Sequence, residues 1–266
     1  MKKTLQIANI IAFIATVFVN YLSNTGAINN TTIGEVSASM NTLFTPAGYA
    51  FSIWGLIYLL LLGFVVYQSR SLFTSVRDDA FILKTGWWFV LSCVANMVWV
   101  TFWLYGYISF SIIAMFVLLY SLLKIVVNNS MELWDAPISV ITFLWWPFVF
   151  YSGWVTVASI ANVAAYLSSI SWDGWGFSET SWTVLMIIIA GIINLAVTWK
   201  RNMREFALVG VWALVAIAVA NWENNLLVVY TSLITATILF ISSGIHGFKN
   251  RKTSPIEKCK EYIRKE

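Results

Sequence analysis

The sequence predicts an all-α integral membrane protein of about eight transmembrane helices, and three observations predict it. The chain has 266 residues, of which 59% are hydrophobic and only 11% charged. A soluble domain carries roughly 25% charged residues, and the mean hydropathy of +0.77 points the same way. Apolar runs of bilayer-crossing length, about 20 residues, recur between short polar segments. With eight crossings, every basic residue sorts to one side of the membrane.

Residues 4–22 form the first apolar run, after Lys2 and Lys3. A cleaved signal peptide is the competing reading, with small residues near Thr25-Gly26-Ala27, although the run is long for one. Residues 23–43 are rich in Asn, Thr and Ser and carry Glu35 but no Lys or Arg. The second span, residues 44–68, opens at Phe44-Thr45-Pro46, and proline suits the first turn of a helix. Gly48, Gly55 and Gly63 notch this span, and Tyr49, Trp54 and Tyr58 put rings inside it. Trp54 and Tyr58 share a face at the i, i+4 spacing. A lipid anchor would do as well with leucine, so this helix is expected to line something.

A loop with Arg70, Arg77, Asp78, Asp79 and Lys84 leads to span three, near 86–105. Only Tyr105-Gly106-Tyr107 separates it from span four, near 108–127, so the two form a tight antiparallel hairpin. Lys124 at the end of span four can snorkel to the interface. Residues 137–168 are uncharged, and as one helix they would be roughly 48 Å long against a hydrocarbon core of about 30 Å. Pro147 predicts a kink there, with the crossing at about 146–167. The loop 168–181 carries Asp173 and Glu179 and no basic residue. Spans six to eight fall near 182–199, 206–222 and 226–247. A charged tail from Lys249 to Glu266 mixes both signs and reads as a solvated or lipid-facing helix.

Positive charge tests this count. With the N terminus cytoplasmic, all sixteen Lys and Arg lie in inside segments, seven of them in the tail. The expected location is therefore the cell membrane, multi-pass, with both termini cytoplasmic. The expected organisation is a five-helix region at 1–168, three further helices at 169–248 and a basic tail at 249–266.

Trp87, Trp88, Trp134, Trp172, Trp175, Trp182, Trp199 and Trp222 lie near span ends, where indole anchors at the headgroup level. Trp54, Trp99, Trp103, Trp146, Trp154 and Trp212 lie deeper or near mid-span and need another account. No Asp, Glu, Lys, Arg or His stands in the middle of a span, and Glu223 and His246 at span ends read as interfacial. This pattern argues against proton-coupled pumps and retinal proteins, which need buried charge. It also leaves a serine nucleophile without a base, so no catalytic residue is assigned. Two cysteines and one histidine offer no usual metal cluster. Cys93 in an apolar run and Cys259 in the tail are not expected to pair. The net charge of +4 sits in loops and tail and implies no nucleic-acid partner.

What remains inside the membrane is polar but uncharged. Asn96, Trp99 and Trp103 fall on one face of span three, and Trp154, Ala158 and Asn162 on one face of span five. An amide in hydrocarbon is costly unless bonded. One reading makes Asn96 and Asn162 glue between helices, worth about 0.6 kcal/mol each. The other makes them the placed polar groups of an apolar small-molecule pocket. In span seven, Gly210, Ala213, Ala216 and Ala220 follow small-residue spacings that favour close packing.

Three stretches carry a resemblance: FTPAGYAFSIWGLIY at 44–58, ANMVWVTFW at 95–103 and GWVTVASIAN at 153–162. In this order and on these spans, residues 30–168 resemble the tryptophan-rich sensory protein or translocator protein family (TspO/MBR), a five-helix membrane fold. The resemblance implies a pocket among the five helices for hydrophobic planar ligands such as porphyrins and sterols. Trp54, Asn96, Trp99, Trp154, Ala158 and Asn162 would line it, with Tyr58 beside Trp54, and the loop after helix one would cap it. The chain departs from the family pattern at Ala47, Tyr49 and Phe150, which stand where a second proline, a tryptophan and a proline are usual. The acidic residue often seen in helix four is also lacking, and spans six to eight are additions.

The function expected is that of a sensor or carrier binding a planar hydrophobic ligand, with no enzyme activity. A facilitative transporter of a small lipophilic substrate is the alternative. No cofactor is expected beyond a bound porphyrin or similar ligand. The expected partners are the lipid bilayer and a hydrophobic small molecule, with a homodimer left open.

Overall fold

The computed structural model describes residues 1–40, 42–76 and 78–264. Among them the chain forms α1 (Lys2–Asn24), α2 (Ile33–Ser39), α3 (Ile53–Phe73), α4 (Phe81–Thr85), α5 (Trp88–Leu104) and α6 (Ile108–Asn128). There follow α7 (Ile138–Val140), α8 (Trp146–Ser169), α9 (Glu179–Arg201), α10 (Arg204–Ala220), α11 (Leu226–Lys249) and α12 (Pro255–Ile263). The described residues contain no strand, so the protein is an all-α membrane protein. Six segments are long and apolar enough to cross a bilayer: α1, Gly48–Phe73, α6, Ile138–Ser169, α9 and α11. The other two expected spans are α5 and α10, each of 17 residues, about 26 Å of helix.

Helix α8 is the centre. Its apolar window is 67% buried, against 28–44% for the other five long segments, and it packs on α3, α6 and α10. Close approach to α10 needs Gly153, where a Cβ would lie 3.1 Å from the Phe206 carbonyl oxygen and 3.2 Å from Val209 Cβ. The expected kink is a π turn over Ile141–Trp145, immediately before α8, with Pro147 in its first turn. Proline offers no N–H to the carbonyl four residues back, and the widened turn accommodates that loss.

Helix α1 is held to the bundle by a buried polar face. Gln6 donates to the Gln68 carbonyl at 2.6 Å, Asn9 to Gln68 Oε1 at 2.9 Å and Asn20 to Asn96 Oδ1 at 2.6 Å. The small residues of α10 pack as expected, with Gly210, Ala213 and Ala216 buried. Gly210 faces the Asn194 side chain of α9, whose Oδ1 would be 2.6 Å from an added Cβ.

One expectation is corrected here. Pro46 does not open a helix. The backbone there is extended, and the Ala47 N–H donates to the Ala216 carbonyl of α10 before a 3₁₀ turn over Gly48–Ser52 leads into α3. His246 stands in the last turn of α11, turned into the protein. It is 2% exposed, with Nε2 within hydrogen-bond distance of Asn202 and Asn250. Trp212 stands at the middle of α10, as expected, on an outward face. It is 38% exposed and donates Nε1 to the Ala50 carbonyl. Glu223 and the expected belt residues Trp87, Trp134, Trp175, Trp199 and Trp222 are exposed. The tail forms α12 with no buried residue, and Lys258 pairs with Asp135 at 2.7 Å.

The two ends of the bundle differ in charge. One end gathers Lys2 on Asp79, Arg70 beside Asp78, Arg204 on Glu205 and Lys258 on Asp135. Lys124 reaches the Trp88 ring there, at 5.6 Å. Arg77 and Lys265, counted among the inside charges, lie outside the described residues. The other end holds Glu35, Asp173, Glu179 and Glu223 and, among the described residues, no Lys or Arg.

At the basic end, Glu132 sits in the α6–α7 loop, its backbone carbonyl accepting from Asn202 Nδ2 at 3.0 Å. Burial, with the Glu205 carboxylate adding to it and Arg204 opposing, pushes its carboxyl up to about 8. An unfolded glutamate titrates near 4.5. Between these values the unfolded chain releases a proton that the folded chain keeps, so this contribution to stability falls as pH rises from 4.5 to 8. Glu132→Gln is expected to flatten the decline of apparent melting temperature between pH 5 and pH 8 in detergent. A variant declining as steeply as the parent would contradict the burial of this carboxyl.

Candidate functional site

The tryptophan cluster is assembled by three helices and one entry loop. The 3₁₀ turn at Gly48–Ser52 delivers Phe51 and, one residue into α3, Trp54. Trp54 stacks on Tyr58 at 5.5 Å and 19° between planes. It meets Trp99 of α5 at 6.4 Å, and Tyr151 and Trp154 of α8 edge-on at 5.6 and 6.4 Å. Trp99 in turn stacks on Trp103 at 6.0 Å, and Phe51 meets Trp154 edge-on at 6.0 Å. Stacked and edge-on pairs at these separations are the favoured aromatic geometries.

Asn162 binds the cluster together. Its Oδ1 accepts from Trp99 Nε1 at 3.0 Å, and its Nδ2 donates to Ser111 Oγ of α6 at 2.8 Å. One amide therefore joins α5, α6 and α8. Asn96 behaves differently. It accepts from Asn20 of α1 at 2.6 Å and does not line the cavity. Of the two amides left open by spacing, Asn96 is a link to α1, whereas Asn162 is both a link and a lining residue.

The cavity enclosed here is bounded by Trp54, Trp99, Trp103, Trp154, Ala158 and Asn162, with Ile33, Ser37, Met40, Thr45 and Pro46 above. Its volume is about 40 Å³, where small-molecule sites measure about 300–1,000 Å³. The rings fill the space themselves. Five of the seven residues singled out from sequence line it; Tyr58 lies behind Trp54, and Asn96 faces α1. Trp54 Nε1, Tyr58 OH, Asn96 Nδ2 and Tyr151 OH are buried with no hydrogen-bond partner among the described residues.

The cover over this cavity is the segment after α1. Helix α2 starts on a capping box in which Thr32 accepts from the Glu35 N–H and Glu35 accepts from the Thr32 N–H. Those bonds hold the Glu35 carboxyl below its ordinary value. The Ile33 carbonyl accepts from Trp103 Nε1 at 3.3 Å, and Asn29 donates to the Leu104 carbonyl at 2.7 Å. Further along, the Leu43 N–H donates to Glu179 and its carbonyl accepts from Asn221. Asn41, within the expected cover of residues 23–43, lies outside the described residues.

Spacing on single helices did not identify Phe51, Tyr151 and Ser111. Phe51 lies in the quoted entry motif, and Tyr151 stands three residues before Trp154, so both carried a usable signal. Ser111 carried none, since only the docking of α6 on α8 brings it to Asn162. A larger hollow of about 650 Å³ lies across α8, lined by Phe116, Ile160, Val163, Trp172, Trp182 and Met186 among others.

A family model described as TSPO-like protein matches residues 6–245. No curated protein and no solved structure matches the chain. The matched stretch runs through all eight long helices, so the relation is not confined to residues 30–168.

The pairing of Asn20 with Asn96 sets an expected outcome. Asn20→Leu alone strands the Asn96 oxygen in the bundle and should cost about 1–3 kcal/mol. Adding Asn96→Leu should recover most of that loss, read from denaturation midpoints in a double-mutant cycle. Purely additive losses would show that the two amides do not depend on each other.

Proposed function

From the premise that this chain belongs to the TSPO-like family, we propose that it is a membrane receptor or carrier for a hydrophobic planar ligand. The family is of receptor and transporter type and generally non-enzymatic, which supports assigning no reaction. The observation that carries the reading is the convergence of Trp54, Trp99 and Trp154 from three helices around Asn162, beneath a separate cover. Indole faces suit a conjugated ring such as a porphyrin, and an amide can orient a polar edge.

A 40 Å³ cavity cannot hold such a ligand, so binding requires the cover to move. The cover is one short helix with its flanking turns, held by polar contacts at a few points and by the buried side chains Ile33 and Phe44. Trp54, Tyr58, Trp99, Trp154, Ala158 and Asn162 are the proposed ligand-contacting residues, with Asn96 supporting from behind. Residues 169–248 then act as a packing unit that braces α8 and anchors the cover through Glu179, Ala216 and Asn221. The proposed setting is the cell membrane with both termini on the cytoplasmic side, where the basic end belongs.

Titrating a porphyrin into the purified chain should quench tryptophan fluorescence saturably. Ala158→Leu adds bulk to the cavity without removing a ring and should weaken that binding about tenfold or more, the cost of overfilling a packed site. Quenching that is linear in the parent, or equally tight in Ala158→Leu, would remove the ligand assignment.

A further inference from the structure

The hollow across α8 from the tryptophan pocket is a half-open groove of about 650 Å³ between α6, α8 and α9. Its long walls are apolar, with Phe116 and Leu119 on α6, Ile160 and Val163 on α8, and Met186 on α9. At the acidic end of the bundle the lining changes to Trp172, Phe177 and Trp182, together with Asp173 and Glu179. The groove thus has the form of an amphiphile, with a long apolar body and one polar end.

The polar end is built by the α8–α9 loop. Trp172 and Trp182 lie 5.1 Å apart, Phe177 meets Trp182 at 6.1 Å, and Trp182 Nε1 donates to the Gly174 carbonyl at 2.7 Å. Asp173 accepts from the Trp175 N–H at 3.0 Å, and that bond holds Trp175 in the left-handed region at φ 53°. A bulky residue is strained there. Both carboxylates are exposed. The ion pairs of the described residues involve neither of them.

Charge decides what fits. Aromatic faces attract a cation, and two unpaired carboxylates beside them attract one further. A phospholipid would bring a phosphate to this end, where the described residues include no Lys or Arg to receive it. An acyl chain alone would account for the walls and leave the acidic mouth unused. We propose that this groove binds a lipophilic monocation, an amphiphile whose positive head carries no phosphate. Its apolar body lies along α6, α8 and α9, and its head lies between the Trp172 and Trp182 rings and the Asp173 and Glu179 carboxylates. The groove lies across α8 from the pocket of the proposed function and shares with it the segment after α1, through Thr42 and Phe44, but the proposal does not depend on that reading.

The test uses radiolabelled dodecyltrimethylammonium and the full chain in phosphatidylcholine nanodiscs. Saturable binding is expected in the parent. The double variant Asp173→Asn, Glu179→Gln should weaken it about tenfold, the scale of two exposed ion pairs lost together. Glutamine keeps an acceptor for the Leu43 N–H, and an unchanged melting temperature shows that the variant is folded. As a second arm, an isosteric neutral 3,3-dimethylbutyl-headed competitor should displace the probe about tenfold more weakly than the cation itself. Absence of saturable binding in the parent, equal affinity in the folded double variant, or equal competition by the neutral isostere would each overturn the proposal.

Discussion

Hydrocarbon offers no hydrogen-bond partner, and the bundle is ordered by how its buried amides meet that constraint. Each must find its partner on another helix or on its own backbone. Asn162 does so twice, to Trp99 and to Ser111, and thereby sets α5 and α6 against α8. Asn9 and Asn20 do so on α1, fixing it against α3 and α5. Apolar packing alone would let these helices rotate, because lipid tails compete equally for leucine and valine. The amides and the tryptophan N–H groups specify which faces meet.

From that arrangement follows the position of α8 between two unlike spaces. One face, with Trp154, Ala158 and Asn162, closes on a small aromatic cavity. The opposite face, with Ile160 and Val163, looks into an open groove beside α9. The segment after α1 touches both, with Thr45 and Pro46 over the cavity and Thr42 and Phe44 over the groove. Its anchors on Glu179, Ala216 and Asn221 come from the helices beyond residue 168. Those helices therefore brace the cover as well as the core.

Much of the helix layout was legible in the sequence because apolar length and the placement of Lys and Arg are properties of single segments. The turn before Pro147 was legible for the same reason, since a missing N–H acts locally. What depends on the meeting of helices was not. Asn96 shares a face with Trp99 on α5 yet bonds to α1, because a helical face is wide enough to serve two neighbours. Pro46 fits a helix start by local preference, but the bond from the Ala47 N–H to α10 holds the chain extended there. His246 stands at a span end, and only the docking of α9 on α11 brings Asn202 beside it.

The central claim is that the cavity is a closed binding site and that its cover must move to admit a planar ligand. Spin labels at Ser39 on the cover and Tyr105 at the end of α5, both exposed, would report that distance by pulsed electron resonance. Saturating porphyrin is predicted to lengthen and broaden the distance distribution. Saturable porphyrin binding with an unchanged distribution would place the ligand elsewhere and contradict the account.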